Sequence, residues 1–233
     1  MPTLADALKL LQDHGRPAEL DGMARFGMDI DKRLGVSVPS LRHIGKTLGR
    51  DHALALALWE TGIPDAQILA GLVADPTRLS SREMDAWAKG MRSWDVCDGA
   101  CLNAFVRSPL AWGKVGVWAR RHDEFVRRAG FALLATLAVH DRTSDDARFT
   151  GALPLIEAAA NDERNFVKKA VSWALRNNIG KRNAALNAAA IDSALRIQAL
   201  PSRAARWIAA DALRELRSGT VRSRLGLAAE HLS

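Results

Sequence analysis

Residues 125–137 read FVRRAGFALLATL, and this stretch decides the fold class. Its apolar side chains recur at the spacing of one face of an α-helix that packs on a core. Two arginines, Arg127 and Arg128, interrupt that face near its start. The same helical spacing recurs along nearly the whole chain, whereas the alternation of apolar and polar residues that is typical of strands is almost absent. The sequence therefore predicts an all-α protein.

Proline and glycine divide this helical pattern into short segments. Several prolines stand where the first turn of a helix tolerates them, as in residues 38–40, 62–64 and 152–154. We expect about 12–14 helices, most of them roughly 9–17 residues long. Many short antiparallel helices favour a curved solenoid of helix pairs, an α–α superhelix whose concave face is a natural binding surface. With no long linker, residues 1–233 are expected to form a single domain.

The chain is strongly basic, with 33 Lys and Arg against 26 Asp and Glu, which gives a net charge of +7. The excess is concentrated in residues 164–224, where 13 basic residues accompany only three acidic ones, Asp192, Asp211 and Glu215. A basic surface favours a polyanionic partner because binding releases the counterions condensed on phosphates. We therefore predict a nucleic acid as the partner.

The sequence also argues against several other classes of protein. Its two cysteines, Cys97 and Cys101, are too few for a disulfide framework, and we expect both to be reduced. No signal peptide or membrane-spanning run is visible, so we expect a cytoplasmic location, at the nucleoid when DNA is bound, and no membrane partner. The histidines and cysteines lack the spacing of zinc ligands, and no cofactor-binding fingerprint is present. We expect neither a metal nor a cofactor.

The segment 93–98, SWDVCD, combines helix-starting residues with an unusual pair. Ser93 is a good N-cap, and Asp95 suits the first turn of a helix. Trp94 and Asp98 remain unexplained by that role, and their spacing of four places an aromatic ring and a carboxylate on one helix face. On the segment alone, an ordinary helix start and a ligand-binding pair both stay open.

Three further segments accompany this pair. Residues 166–176, FVKKAVSWALR, place Trp173 four residues after Lys169, and residues 125–129 carry Arg127 and Arg128. Phe26 precedes a glycine-bearing turn, LGV at 34–36, and a helix that begins with proline. In order and separation, these landmarks resemble the AlkD-type DNA alkylation repair proteins, which are alkylpurine DNA glycosylases built from HEAT-like helical repeats. The landmarks span residues 25–176, and the helical pattern extends over the whole chain.

The resemblance implies a role for each matching residue. Asp98 would be the catalytic carboxylate, and Trp94 and Trp173 would contact the lesion nucleotide. Phe26 would also contact the lesion, and it stands where some members carry tyrosine, so the hydroxyl of that side chain is missing. Arg128 would bind a backbone phosphate, with Arg127 as the alternative. Further phosphate contacts are expected from basic residues around the second tryptophan, namely Lys168, Lys169, Arg176, Lys181 and Arg182.

The activity that the resemblance implies is hydrolysis of the N-glycosidic bond of cationic N3- or N7-alkylated purines in duplex DNA, by a monomer. Two alternatives stay open: a non-catalytic nucleic-acid-binding protein on the same scaffold, and a solenoid that binds an acidic protein partner. The presence of both Trp94 and Asp98 favours the enzyme. The other five tryptophans are predicted to lie in the core or at its rim, because tryptophan is highly buried on average: Trp59, Trp87, Trp112, Trp118 and Trp207.

Overall fold

A computed structural model describes residues 2–227 and confirms the all-α prediction. The structure is 72% helical, and the described residues contain no strand. They form fifteen α-helices rather than 12–14, because three helices of only five or six residues, α2, α10 and α15, are too short to show a period in the sequence. In chain order the helices are α1 Leu4–Asp13, α2 Leu20–Arg25, α3 Val38–Leu48, α4 His52–Glu60, α5 Pro64–Val73, α6 Ser81–Gly90, α7 Trp94–Asn103, α8 Ala111–Ala119, α9 Glu124–His140, α10 Asp146–Thr150, α11 Leu153–Ala159, α12 Asn165–Ser172, α13 Ala184–Gln198, α14 Arg203–Leu216 and α15 Gly219–Arg224.

Local sequence signals start many of these helices. Thr3 caps α1 and Ser80 caps α6, each in a capping box in which the acidic residue three positions later binds the cap backbone. Pro39, Pro64 and Pro154 lie in the first turns of α3, α5 and α11, as predicted. Since the first turn of a helix leaves its N–H groups without partners, a proline there removes no intrahelical hydrogen bond.

The helices divide into two compact units, with the boundary between Ala111 and Trp112. The prediction of a single domain stays a prediction. In the N-terminal unit, α5 is the central helix and packs against α3, α4 and α7. Trp59 and Trp87 stack beside it with ring centroids 4.2 Å apart, and both are at most 4% exposed. Their assignment to the core is therefore confirmed.

Helix α9 is the core of the C-terminal unit. It is buried along nearly its whole length and not only on one face, because α12 and the segment that follows α12 pack against it. A Cβ atom on Gly130 would lie 2.5 Å from the backbone nitrogen of Ala119, so only glycine permits this close approach to the end of α8. The stretch that predicted the fold class therefore forms the most buried helix of this unit.

The helix that contains Trp173 changes its geometry at that residue. After α12, residues Trp173–Asn178 form a π-helical segment, and Ile179–Lys181 form a 3-10 turn. Helices α13 and α14 then pack against each other, and α14 also contacts α12. Among the described residues, no helix has both the length and the apolar character needed to span a bilayer.

Candidate active site

Trp94 and Asp98 lie one turn apart on α7, and both are half-buried. Helix α7 begins at Trp94, and Ser93 occupies the N-cap position with an extended backbone, as predicted. The Ser93 hydroxyl does not cap the helix amides. It donates to the Asp95 carboxylate and accepts the backbone N–H of Asp29 at 3.1 Å. Ser93 therefore joins the start of α7 to the loop that follows α2.

Phe26 and Trp94 are brought together in the N-terminal unit. The indole Nε1 of Trp94 donates a hydrogen bond to the backbone oxygen of Phe26 at 3.0 Å. Phe26 is the C-cap residue of α2, and its side chain is 76% exposed. Two of the three aromatic residues predicted to contact a lesion are thus neighbours, and the phenyl ring is open to solvent.

A buried ion pair fixes this loop to α7. Arg33 is only 6% exposed and holds both carboxylate oxygens of Asp95, with Nη1 to Oδ2 at 2.8 Å and Nη2 to Oδ1 at 3.1 Å. Two weaker pairs support it, because Arg92 lies 3.4 Å from Asp29 and 3.3 Å from Asp31. Asp95 therefore does more than favour a helix start: its bidentate pair holds the helix start and the loop together.

A second buried carboxylate holds the other end of the loop. Asp65 is fully buried and accepts the backbone N–H groups of Leu34 at 2.7 Å and Val36 at 2.8 Å. Between them, Gly35 has a φ of +77°, and a Cβ atom there would lie 2.5 Å from the backbone oxygen of Arg16. Sequence reasoning missed Arg33 and Asp65, and its only signal was the glycine-bearing turn at 34–36.

In the C-terminal unit, Arg128 is buried instead of lying on the surface. It is 5% exposed, and its Nη1 donates to the backbone oxygen of Phe166 at 2.7 Å, which links α9 to the start of α12. Arg127 pairs with Asp162 at 3.0 Å. Burial alone would raise the pKa of Asp162, but hydrogen bonds from Arg164 outweigh it and hold that pKa below its ordinary value. Asp162 therefore stays charged beside Arg127.

Trp173 and Lys169 share a face of the helix that ends in the π-helical segment. Trp173 is half-buried and is the first residue of that segment, whereas Lys169, one turn earlier, is exposed. Stretches of π-helix are rare and occur frequently at functional sites, because they change the direction of the side chains that follow. The structure thus leaves an aromatic ring and an ammonium group accessible together on this face.

Three of the other predicted phosphate contacts are engaged within the protein. Arg176 pairs with Asp211 at 2.8 Å, and Lys181 pairs with Glu215. The hydrogen bond from Lys181 holds the pKa of Glu215 below its ordinary value, so this carboxylate is charged at neutral pH. Arg182 donates to the backbone oxygen of Ala138 at 2.9 Å and lies over the Phe149 ring. These three side chains stabilise the unit.

The profile of a family described as DNA alkylation repair enzyme matches residues 7–216. The chain belongs to that family. A solved structure described as "a new family of proteins related to the HEAT-like repeat DNA glycosylases with affinity for branched DNA structures" has 19% sequence identity and a TM-score of 0.77, with 99% of each chain covered. No curated protein matches the chain. The predicted HEAT-like repeat fold is confirmed.

Membership of the DNA alkylation repair enzyme family supports the resemblance found in the sequence, while the roles of single residues stay predictions. The N-terminal unit of this family member carries Trp94, Asp98 and Phe26, and the C-terminal unit carries Arg128 and Trp173. Within residues 2–227, no group of three or more His, Cys, Asp or Glu side chains is arranged to hold a metal ion. In the N-terminal unit, α7 presents a carboxylate one helical turn after an indole ring.

Proposed function

We propose that this protein is a DNA glycosylase that hydrolyses the N-glycosidic bond of cationic N3- or N7-alkylated purines in duplex DNA. The observation that carries the proposal is the half-buried carboxylate of Asp98, one helical turn after the half-buried ring of Trp94. The ion pair of Arg33 with Asp95 holds the start of the same helix in place. Family membership and the HEAT-like repeat fold support the assignment.

The reaction needs a carboxylate but no acid. An alkylated purine already carries a positive charge, so it leaves as a neutral base and takes the electron pair of the bond to C1′ with it. Positive charge then develops on the sugar, and the Asp98 carboxylate stabilises this oxocarbenium-like state. Water adds to C1′ and its proton passes to Asp98 or to solvent. The products are the free alkylpurine and an abasic site.

The aromatic side chains supply recognition of the cationic base. The electron-rich face of an indole ring attracts a cation by about 0.5–2 kcal/mol, and it favours an alkylated purine over a neutral one. We assign this role to Trp94 and Trp173, with Phe26 as a packing surface. Phosphate binding is assigned to Arg128, which the Phe166 carbonyl orients, and Arg127 is the alternative. Single alanine variants of the two arginines distinguish them.

The proposal is tested by incubating the purified protein with a duplex that contains 7-methylguanine and measuring the free base by chromatography. Release well above the rate of spontaneous depurination is expected. A second candidate function is DNA binding without catalysis, which the described affinity of the neighbouring structure for branched DNA favours. Absence of base release together with tight binding to a four-way junction would establish that second function and overturn the first.

Replacing Trp173 with alanine is expected to lower the rate of base release about 10-fold or more while weakening the affinity for undamaged duplex DNA less than threefold. The reason is that the ring recognises the cationic base, which undamaged DNA lacks. Both quantities are measured on the same preparation, by single-turnover excision and by fluorescence anisotropy.

Lys169→Ala is the matched control for that variant, because Lys169 lies one turn earlier on the same face and is exposed. We expect it to weaken binding to damaged and undamaged DNA alike, as a phosphate contact does. If Trp173→Ala reduces the rate of base release and the affinity for undamaged DNA by the same factor, Trp173 is a general contact or part of the scaffold. It then has no role in recognising the lesion.

A further inference from the structure

Helix α14 carries a row of exposed residues that the proposed function does not use. Residues 203, 207, 210, 214 and 217 recur at intervals of three or four, so they follow one face of the helix and its end. All five are exposed. Trp207 stands in the middle of this face and is 41% exposed, with the exposed Arg206 directly before it. Sequence reasoning placed Trp207 in the core or at its rim, and its exposure fits the rim and not the core.

This row of residues lies beside the helix that carries Trp173. The Nζ atom of Lys168 on α12 lies 5.7 Å from the centre of the Trp207 ring, within the range of a cation–π contact. One turn further along both helices, the Ser172 hydroxyl donates to Asp211 at 3.1 Å. These two contacts align α12 and α14 side by side and in the same direction, so Trp207 belongs to the helix next to Lys169 and Trp173.

The arginines that precede Trp207 on α14 differ from other cations of this unit in their ion pairing. Within residues 2–227, neither Arg203 nor Arg206 has a carboxylate partner, whereas Arg176 is paired with Asp211. The acid nearest the start of α14 is Glu163, which accepts the backbone N–H of Ala204 at 3.0 Å. That hydrogen bond holds the pKa of Glu163 below its ordinary value, and the carboxylate caps the helix. Trp207 is therefore accompanied on α14 by two exposed arginines that have no carboxylate partner among the described residues.

We propose that Lys168 on α12 and three residues of α14, Arg203, Arg206 and Trp207, form a second contact with the backbone of duplex DNA. We call these four residues together the α14 stripe. The cations bind successive phosphates, and the indole ring packs against a deoxyribose between them. The inference rests on the proposed function only for the identity of the partner, DNA, and not for the cleavage chemistry. Membership of the DNA alkylation repair enzyme family favours DNA over an acidic peptide as the partner of these cations.

The position of the stripe sets its distance from the lesion. Helices that pack side by side are about 8–10 Å apart, and each base pair of B-DNA advances about 3.4 Å. For a duplex that runs across the two helices, the α14 stripe then contacts DNA about three base pairs from the nucleotide that touches Trp173. The α14 stripe would lengthen the stretch of DNA that the protein contacts on one side of the damaged base. These contacts would not depend on the base sequence.

The test compares two pairs of substitutions by measuring affinity for undamaged duplex DNA over a range of salt concentrations. Arg203→Ala with Arg206→Ala is expected to lower the slope of log affinity against log salt by about 2, one unit for each lost phosphate contact. The matched control is Arg142→Ala with Arg224→Ala, which removes two exposed arginines from the same unit. A slope reduced equally in both pairs would show that net charge, and not the stripe, determines binding.

Trp207→Ala is expected to weaken the affinity for the duplex about 3–10-fold, and Trp207→Phe to restore most of it, since a phenyl ring still packs on a sugar. The deficit should vanish when the duplex is shortened to fewer than about three base pairs on one side of a 7-methylguanine. Unchanged affinity in Trp207→Ala, or competition by polyglutamate as strong as by DNA, would overturn the proposal.

Base release is measured in parallel so that the two proposals can fail separately. If the wild-type protein releases no base and the stripe variants still lose affinity for DNA, the glycosylase assignment is wrong and the stripe stands. If the wild-type protein releases base and the stripe variants bind duplexes of every length normally, the stripe is wrong and the glycosylase assignment stands. Thermal unfolding of each variant confirms that the exposed substitutions leave the fold intact.

Discussion

Asp98→Asn should abolish the release of 7-methylguanine while leaving the fold and the binding of undamaged DNA nearly unchanged. Asparagine keeps the size of the side chain but carries no charge, so it can neither stabilise a sugar cation nor accept the proton of the attacking water. Loss of one electrostatic contact to a transition state costs about 10²–10³ in rate, and loss of the proton acceptor adds to it. We expect single-turnover release to fall at least about 1,000-fold.

The matched control for this variant is Asp13→Asn. Asp13 ends α1 in the same unit, is exposed, and loses the same charge on substitution. It should leave both base release and binding unchanged, whereas Asp98→Asn should affect only release. Excision by Asp98→Asn at the wild-type rate would remove Asp98 from the mechanism. Equal losses of excision and binding, with a lower unfolding midpoint, would instead assign Asp98 a structural role.

The sequence predicted the fold well where the relevant signal is local. The period of residues 125–137 and the prolines in the first turns of α3, α5 and α11 depend only on neighbouring residues, and the structure confirms them. The spacing of Trp94 and Asp98 is equally local, so placing them on one helix face required no knowledge of tertiary structure. The π-helical segment at Trp173 escaped prediction because it is part of an unbroken helical pattern.

The sequence predicted much less of what holds the candidate site in place, because those partners are far apart in the chain. Arg33 and Asp95 are separated by 62 residues, and no periodic pattern links them. The count of basic and acidic residues also did not predict which cations are paired within the protein. Of the three acidic residues in the basic stretch 164–224, Asp211 and Glu215 pair with Arg176 and Lys181, which the sequence had assigned to DNA. Net charge indicates a polyanionic partner, but it does not identify which cations remain available to bind one.

Asp65 is the buried residue on which the loop beside the candidate site depends most. Its carboxylate is fully buried and accepts two backbone N–H groups, from Leu34 and Val36. The loop has no sheet or helix of its own to pair those groups. Since Arg33 directly precedes Leu34, the carboxylate also fixes the backbone from which Arg33 reaches Asp95 at the start of α7.

Asp65→Ala is therefore expected to lower the free energy of unfolding by about 3–5 kcal/mol, because it leaves two buried donors without a partner and removes two charge-assisted hydrogen bonds. Urea denaturation measures the loss. The control is Asp75→Ala, since Asp75 also accepts two hydrogen bonds, both from Thr77, but lies in a turn at the surface and should cost far less.

The same substitution should expose residues 27–36 to limited proteolysis before the rest of the N-terminal unit unfolds, because the loop loses its hold on α5 first. Base release should then fall more steeply with temperature than in the wild-type protein, as Phe26 and Trp94 lose their fixed arrangement. A variant that unfolds at the wild-type urea concentration would show that solvent satisfies the freed amides. In that case the Arg33 and Asp95 pair and the bond from Asp29 to Ser93 would be enough to hold the loop on α7.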